Sequence, residues 1–196
     1  INSGNVKRRA IVASENGTEL YSVTYGGKIE YSTDSGATWS VSNNLTQNWM
    51  AIAASANFQK IYAVAYQGYI YQSQDSGATW QKVDFPKLPW ISVATSANGN
   101  EVVAATKGGQ IYNSNDAGVS WTPRDQKRKW VSVAASSNGA KFAAVVEGGF
   151  IYTSTDGGSN WTQRGAQRNW SAIASSSNGN KLVATVAKGR IYTSTD

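Results

Sequence analysis

The sequence predicts an all-β chain, a β-propeller of five four-stranded antiparallel blades with about 40 residues per repeat. Three observations carry this. A motif returns every 40 or 41 residues, each period contains short alternating apolar runs, and the composition favours turns and aromatics over helix formers. The chain has 196 residues with 19 Gly, 8 Trp and 10 Tyr, and only 15% of its residues are charged. It has no His and no Cys, so Ser-His-Asp and Cys-His nucleophile systems, disulfides and most zinc or copper sites cannot be built from it. No stretch approaches the roughly eighteen apolar residues of a membrane-spanning helix.

The repeat reads S-x-D-x-G-x-x-W. It occurs at Ser32 to Trp39, Ser73 to Trp80, Ser114 to Trp121 and Ser154 to Trp161, and Ser194 to Asp196 begins a fifth copy. The aspartates Asp34, Asp75, Asp116, Asp156 and Asp196 step by 41, 41, 40 and 40 residues. Twenty-six residues before each stands a second column: Arg8, Trp49, Trp90, Trp130 and Trp170. The repeats therefore run over about 8–48, 49–89, 90–129, 130–169 and 170–196, the last completed by 1–7, and residues 1–196 form one domain.

Each element follows in order. Strand A opens at the Trp column and alternates with period two, as in Trp90 to Ser96. It ends at Asn16-Gly17, Asn98-Gly99, Asn138-Gly139 and Asn178-Gly179, with Asn57-Phe58 as the odd member; both positions of such a turn are expected at positive φ. Strand B follows, as in Lys181 to Val186. A glycine seven residues before each box Asp (Gly27, Gly68, Gly109, Gly149, Gly189) supplies the B-to-C turn. Strand C is Ile-Tyr-x-Ser, and the S-x-D-x-G-x-x-W segment turns it into strand D. Only a partial fifth box is present, so Asn2 to Lys7 are expected to supply strand D of the last blade. The other reading is a longer array, whose unfilled edge would promote homo-oligomers.

The S-x-D-x-G-x-x-W segment resembles the Asp-box, or bacterial neuraminidase repeat, of sialidase-type propellers. The resemblance implies that the box is a folding element at the blade periphery. It also raises a glycosidase reading, which calls for an arginine cluster, a Tyr nucleophile assisted by Glu, and an Asp acid/base. Those parts are scarce. Five of the seven Asp belong to boxes, leaving Asp84 and Asp125, and Tyr71, Tyr112, Tyr152 and Tyr192 recur at one repeat position, as packing residues do. The expectation is no catalytic residue, no metal and no cofactor. Glu30 breaks the repeat by replacing the strand C Tyr, and is expected to be solvated while Tyr31 takes over the aromatic contact.

The net charge is +6, and most cations fall in the D-to-A connections and B-C turns, at one end of the strands. Beside them stands the Trp column. Its first role is packing between blades, and a second is to present flat apolar platforms next to cations. The candidate ligand-binding residues are Trp49, Trp90, Trp130, Trp170, Arg124, Arg128, Arg164, Arg168 and Arg190. The function expected is a non-enzymatic, multivalent, lectin-like module binding glycans, acidic ones included, in similar inter-blade clefts. The alternative is a scaffold docking an acidic protein surface, and a sialidase-like hydrolase comes third. Nucleic acid is disfavoured because the cations form no continuous groove. The family resemblance, with sequons at Asn16, Asn44, Asn160 and Asn169, favours an extracellular location.

Overall fold

The computed structural model describes residues 7–194. They pack as two units, Ile1–Trp90 and Ile91–Asp196, whose boundary falls where the second repeat gives way to the third. The first unit holds β1 (Arg8–Ala13), β2 (Leu20–Ser32), β3 (Ser40–Ala54), β4 (Ile61–Gly68), β5 (Ile70–Ser73), β6 (Gln81–Lys82) and the start of β7 (Leu88–Thr95). The second holds the rest of β7, β8 (Val102–Thr106), β9 (Ile111–Ser114), β10 (Thr122–Arg124), β11 (Trp130–Ala135), β12 (Phe142–Val146), β13 (Gly149–Ser154), β14 (Thr162–Arg168), β15 (Trp170–Ser175), β16 (Leu182–Val186) and β17 (Ile191–Ser194). Among the described residues every strand pairing is antiparallel, β11–β14 is the four-stranded sheet the repeat predicts, and β15–β17 has three strands.

In the first repeat β2 covers both predicted strands B and C, and β3 runs from strand D of one repeat into strand A of the next. The segment Asn2 to Val6 lies outside the described residues, as does Asp196. The Lys7 carbonyl accepts the Tyr25 amide at 2.9 Å and so extends the pairing of β1 with β2.

Two turn predictions are corrected. In the A-B turns only the second residue is left-handed: Gly17, Gly99, Gly139 and Gly179 have φ of 68 to 73°, and Phe58 takes 57° in the odd copy. The Asn instead caps the turn with its side chain, as when Asn16 Oδ1 accepts from Ser14 Oγ and from the Thr18 amide. In the B-C turns the positive φ falls one residue before the predicted glycine, even on Gln67 (51°) and Lys188 (54°). The predicted glycine is there for space. A Cβ on Gly149 would lie 2.6 Å from Val146 Cγ1, and one on Gly68 would lie 2.8 Å from Ala65 Cβ.

The box is a folding element, as its chemistry suggests. Ser32 Oγ donates to Asp34 Oδ1 at 2.6 Å and accepts the Gly36 amide at 2.8 Å. Asp34 in turn accepts the Thr38 amide and hydroxyl at 2.8 and 2.6 Å, and Trp39 Nε1 donates to the Gly36 carbonyl. The Ser hydroxyl and turn-amide bonds to the Asp recur around Asp75, Asp116 and Asp156, whereas Trp80 Nε1 donates to Ser42 Oγ.

The Trp column opens strand A just before a β-bulge. Trp49, Trp130 and Trp170 pair with Ala65, Val146 and Val186, and the register then shifts by one residue. That shift turns the indole to the same side as the residue three further on, into the core rather than across the sheet. Trp130 thus packs with Val133, Ala144 and Val146, and Trp170 with Ile173, Ala184 and Val186. Each indole meets the strand C Tyr of its own repeat edge to face: Trp49 and Tyr71 at 5.1 Å, Trp130 and Tyr152 at 5.2 Å, Trp170 and Tyr192 at 5.4 Å.

Candidate functional site

The four column indoles are at most 3% exposed, so they offer no open platform to a ligand. Packing is the role their geometry gives them. Of the predicted cations, Arg124 is held on its strand by Asn113 Oδ1, at 2.8 Å from Nε. Arg128 lies 4.3 Å above the Tyr152 ring, and Asp125 accepts from its Nε at 3.2 Å and its Nη2 at 3.4 Å, so its charge is met inside the repeat. Arg190 is exposed in the β16–β17 turn, where its carbonyl accepts the Val186 amide.

Arg164, Arg168 and Trp170 do come together. They line a groove of about 560 Å³ within the second unit, walled on one side by Ile151 and Thr153 of β13 and on the other by Leu182 and Tyr192. The groove follows the strands, from Arg168 and Trp170 at one end to Lys141 and Gly179 at the other. Among the described residues that line it, three side chains are cationic and none is a carboxylate. Lys141 Nζ donates to Asn180 Oδ1. Arg164 donates from Nε to Thr153 Oγ1 at 3.2 Å, and Arg168 lies 4.5 Å above Tyr192. Salt bridges join Arg8 to Glu30 and Arg128 to Asp125, and among the described residues neither groove arginine meets a carboxylate.

Gly165, between the two arginines, has φ of 66° and marks an irregularity in β14. Arg164 stands opposite Ile151 and Arg168 opposite Gly149, so four residues of β14 span two of β13. Sequence reasoning picked the two arginines but missed this register shift and the partners Thr153 and Tyr192. The visible signal was the glycine inside the D-to-A segment, at Gly165 in Arg164-Gly165-Ala166-Gln167-Arg168. At the preceding repeat Trp161 lies beside Trp130 at 6.4 Å, and the sequence stops before the corresponding Trp of the fifth box.

Glu30 is not simply solvated. It accepts from Arg8 Nη1 at 2.7 Å, and Arg8 also reaches Ser22 Oγ and lies 5.4 Å from the Trp39 ring centre. Tyr31 does take an aromatic contact, stacking on Tyr21 at 5.8 Å. The Trp–Tyr pair of later repeats is thus replaced by an ion pair at both positions together.

The model of the DUF6242 beta propeller domain matches residues 3–143, and the chain belongs to that family. Comparison with curated proteins finds no significant match. Among solved structures, an ancestral GH74 enzyme is similar with a TM-score of 0.79 at 24% identity, over 96% of this chain and 30% of that one. YCF48 bound to a D1 peptide gives 0.71 at 18% identity, over 96% of this chain and 63% of that one. A nidogen/laminin complex gives 0.78 at 12%, over 96% and 75%. The chain thus spans less than two thirds of the first two structures, and these likenesses establish the propeller fold.

Proposed function

We propose, from the premise that the chain is a β-propeller, that it is a non-enzymatic binding module of five Asp-box blades whose groove beside β14 takes an acidic, extended segment of a partner protein. One observation carries this: Arg164, Arg168 and Lys141 line one groove, and among the described residues that line it there is no carboxylate. Unneutralised guanidiniums beside apolar walls favour carboxylates, because a charge-assisted bond strengthens where water is partly excluded. The burial of the Trp column removes the flat platforms on which the glycan reading leaned. One structural relative is described as bound to a peptide, which agrees with this choice.

An acidic glycan is the second reading, favoured by the same two arginines and by the Tyr192 ring beneath Arg168. The non-enzymatic reading is supported by where the acids stand. The box carboxylates hold turn amides and hydroxyls, Asp125 holds Arg128, and Glu30 holds Arg8.

The test is a titration of intrinsic Trp fluorescence, since Trp170 forms part of the groove wall. An oligoglutamate peptide, sialyllactose and lactose are compared. A saturable response to the peptide, abolished in the Arg164→Ala/Arg168→Ala variant, supports the proposal. A response to sialyllactose alone moves the site to sugars, and no response to any probe removes the binding function from this groove.

A further inference from the structure

We infer that the second repeat carries a site for a tetrahedral oxyanion, phosphate or sulfate, formed by Lys82, Lys87 and Tyr69. The site belongs to the first unit and the groove beside β14 to the second, so this goes beyond the function proposed above.

Three residues peculiar to the second repeat meet here. Tyr69 follows the B-C glycine, where the other repeats carry Lys28, Gln110, Phe150 and Arg190. Lys82 stands opposite Tyr71 of strand C, where the first, third and fourth repeats place Val41, Pro123 and Gln163. Lys87 comes from the D-to-A connection, just before β7. The Nζ atoms of Lys82 and Lys87 lie 4.5 and 5.2 Å from the centre of the Tyr69 ring. Tyr69 is partly buried against the core cluster around Trp49, which holds the ring in place, while both lysines are exposed.

Two ammonium groups drawn to one ring are like charges brought together. The ring gives each a cation–π contact but does not cancel their repulsion. Elsewhere a carboxylate meets the cation, as Glu30 meets Arg8 and Asp125 meets Arg128. Among the described residues neither lysine meets one, and Asp84, which stands between them in the chain, pairs with neither. An anion from outside the chain would supply the balancing charge, and its chemistry follows from the donors. Each ammonium is a compact point charge with three donors on a flexible stem, so two stems can close on the several oxygens of a phosphate or sulfate. A carboxylate is matched instead by the planar fork of an arginine. One dianion also balances both cations, which one carboxylate does not.

The experiment is amide-resolved NMR of the ¹⁵N-labelled 196-residue chain, titrated at neutral pH with sodium sulfate, sodium phosphate or sodium acetate. Ionic strength is held constant with sodium chloride, so that screening is the same in every arm. Saturable shifts are expected in residues 68–71 and 81–88, with half-saturation by sulfate at about a tenth of the acetate concentration. Lys82→Gln and Lys87→Gln should each abolish that preference, and Tyr69→Leu, which keeps both cations but removes the ring, should weaken sulfate binding severalfold. Equal responses to sulfate and phosphate support a site for the tetrahedral dianion, phosphate alone narrows it to a phosphoryl group, and sulfate alone to a sulfate ester. Responses that acetate matches, or that persist in both lysine variants, overturn the inference, as does the absence of any response in these segments. Shifts confined to the groove residues overturn it too, and leave the acidic groove standing. Far-UV circular dichroism of the lysine variants, whose substituted residues are exposed, checks that the fold is intact.

Discussion

At the residue scale the chain separates acids that hold turns from cations that face outward. Hydrogen bonds from Ser32 and Thr38 hold Asp34 down at about 2, and the Asn160 amide and side chain with Ser154 do the same for Asp156. A carboxylate depressed in the folded state stabilises above its unfolded pKa, near 3.8, and loses that contribution as pH falls through the folded value. Thermal stability should therefore fall as pH drops from about 4 to about 2. Asp34→Asn should start less stable and lose less over that interval, and a variant that tracks the parent chain would show that the box bonds contribute nothing. The indoles behave differently. Trp130→Ala empties a site packed by Val133, Ala144, Val146 and Tyr152, and should cost about 3–5 kcal/mol in urea unfolding. Arg164→Ala, on an exposed strand, should stay within about 0.5 kcal/mol.

At the element scale most of the repeat was legible, because its signals are local. Alternation named the strands, and the box sequence named its own turn, since Ser, Asp and Gly close that turn with bonds among themselves. What escaped was the bulge after each Trp. Whether an indole at a strand start points inward or outward depends on cross-strand register, which one repeat read alone does not display. The glycines misled for a related reason. Gly149 and its counterparts looked like conformational hinges, yet they serve as gaps for the side chain three residues earlier. The first repeat offers a test of paired substitution. Arg8 and Glu30 replace Trp and Tyr together and meet at 2.7 Å while about 29% exposed each. A double-mutant cycle with Arg8→Ala and Glu30→Ala should give a coupling of about 0.5–1 kcal/mol that shrinks in high salt. Zero coupling would mean that the two substitutions arose independently.

At the scale of the whole molecule, the basic balance read from composition resolves into cations with different fates. Lys82 and Lys87 lie over Tyr69, Arg9 over Tyr25, and Arg128 is neutralised by Asp125, whereas Arg164 and Arg168 line a groove with no acid among the described residues. The sequence could count these charges but not sort them, because sorting requires knowing which ring or carboxylate each one meets across the sheet. It placed Arg164 and Arg168 among the ligand-binding candidates on loop position alone. It also grouped them with the Trp column, all four of whose indoles are core. The most direct test of the acidic groove is amide-resolved NMR of the uniformly ¹⁵N-labelled chain during titration with the oligoglutamate peptide. The account predicts shifts concentrated in residues 149–154, 162–170 and 182–194, saturating together. Shifts confined to other strands, with these segments unmoved, would contradict it.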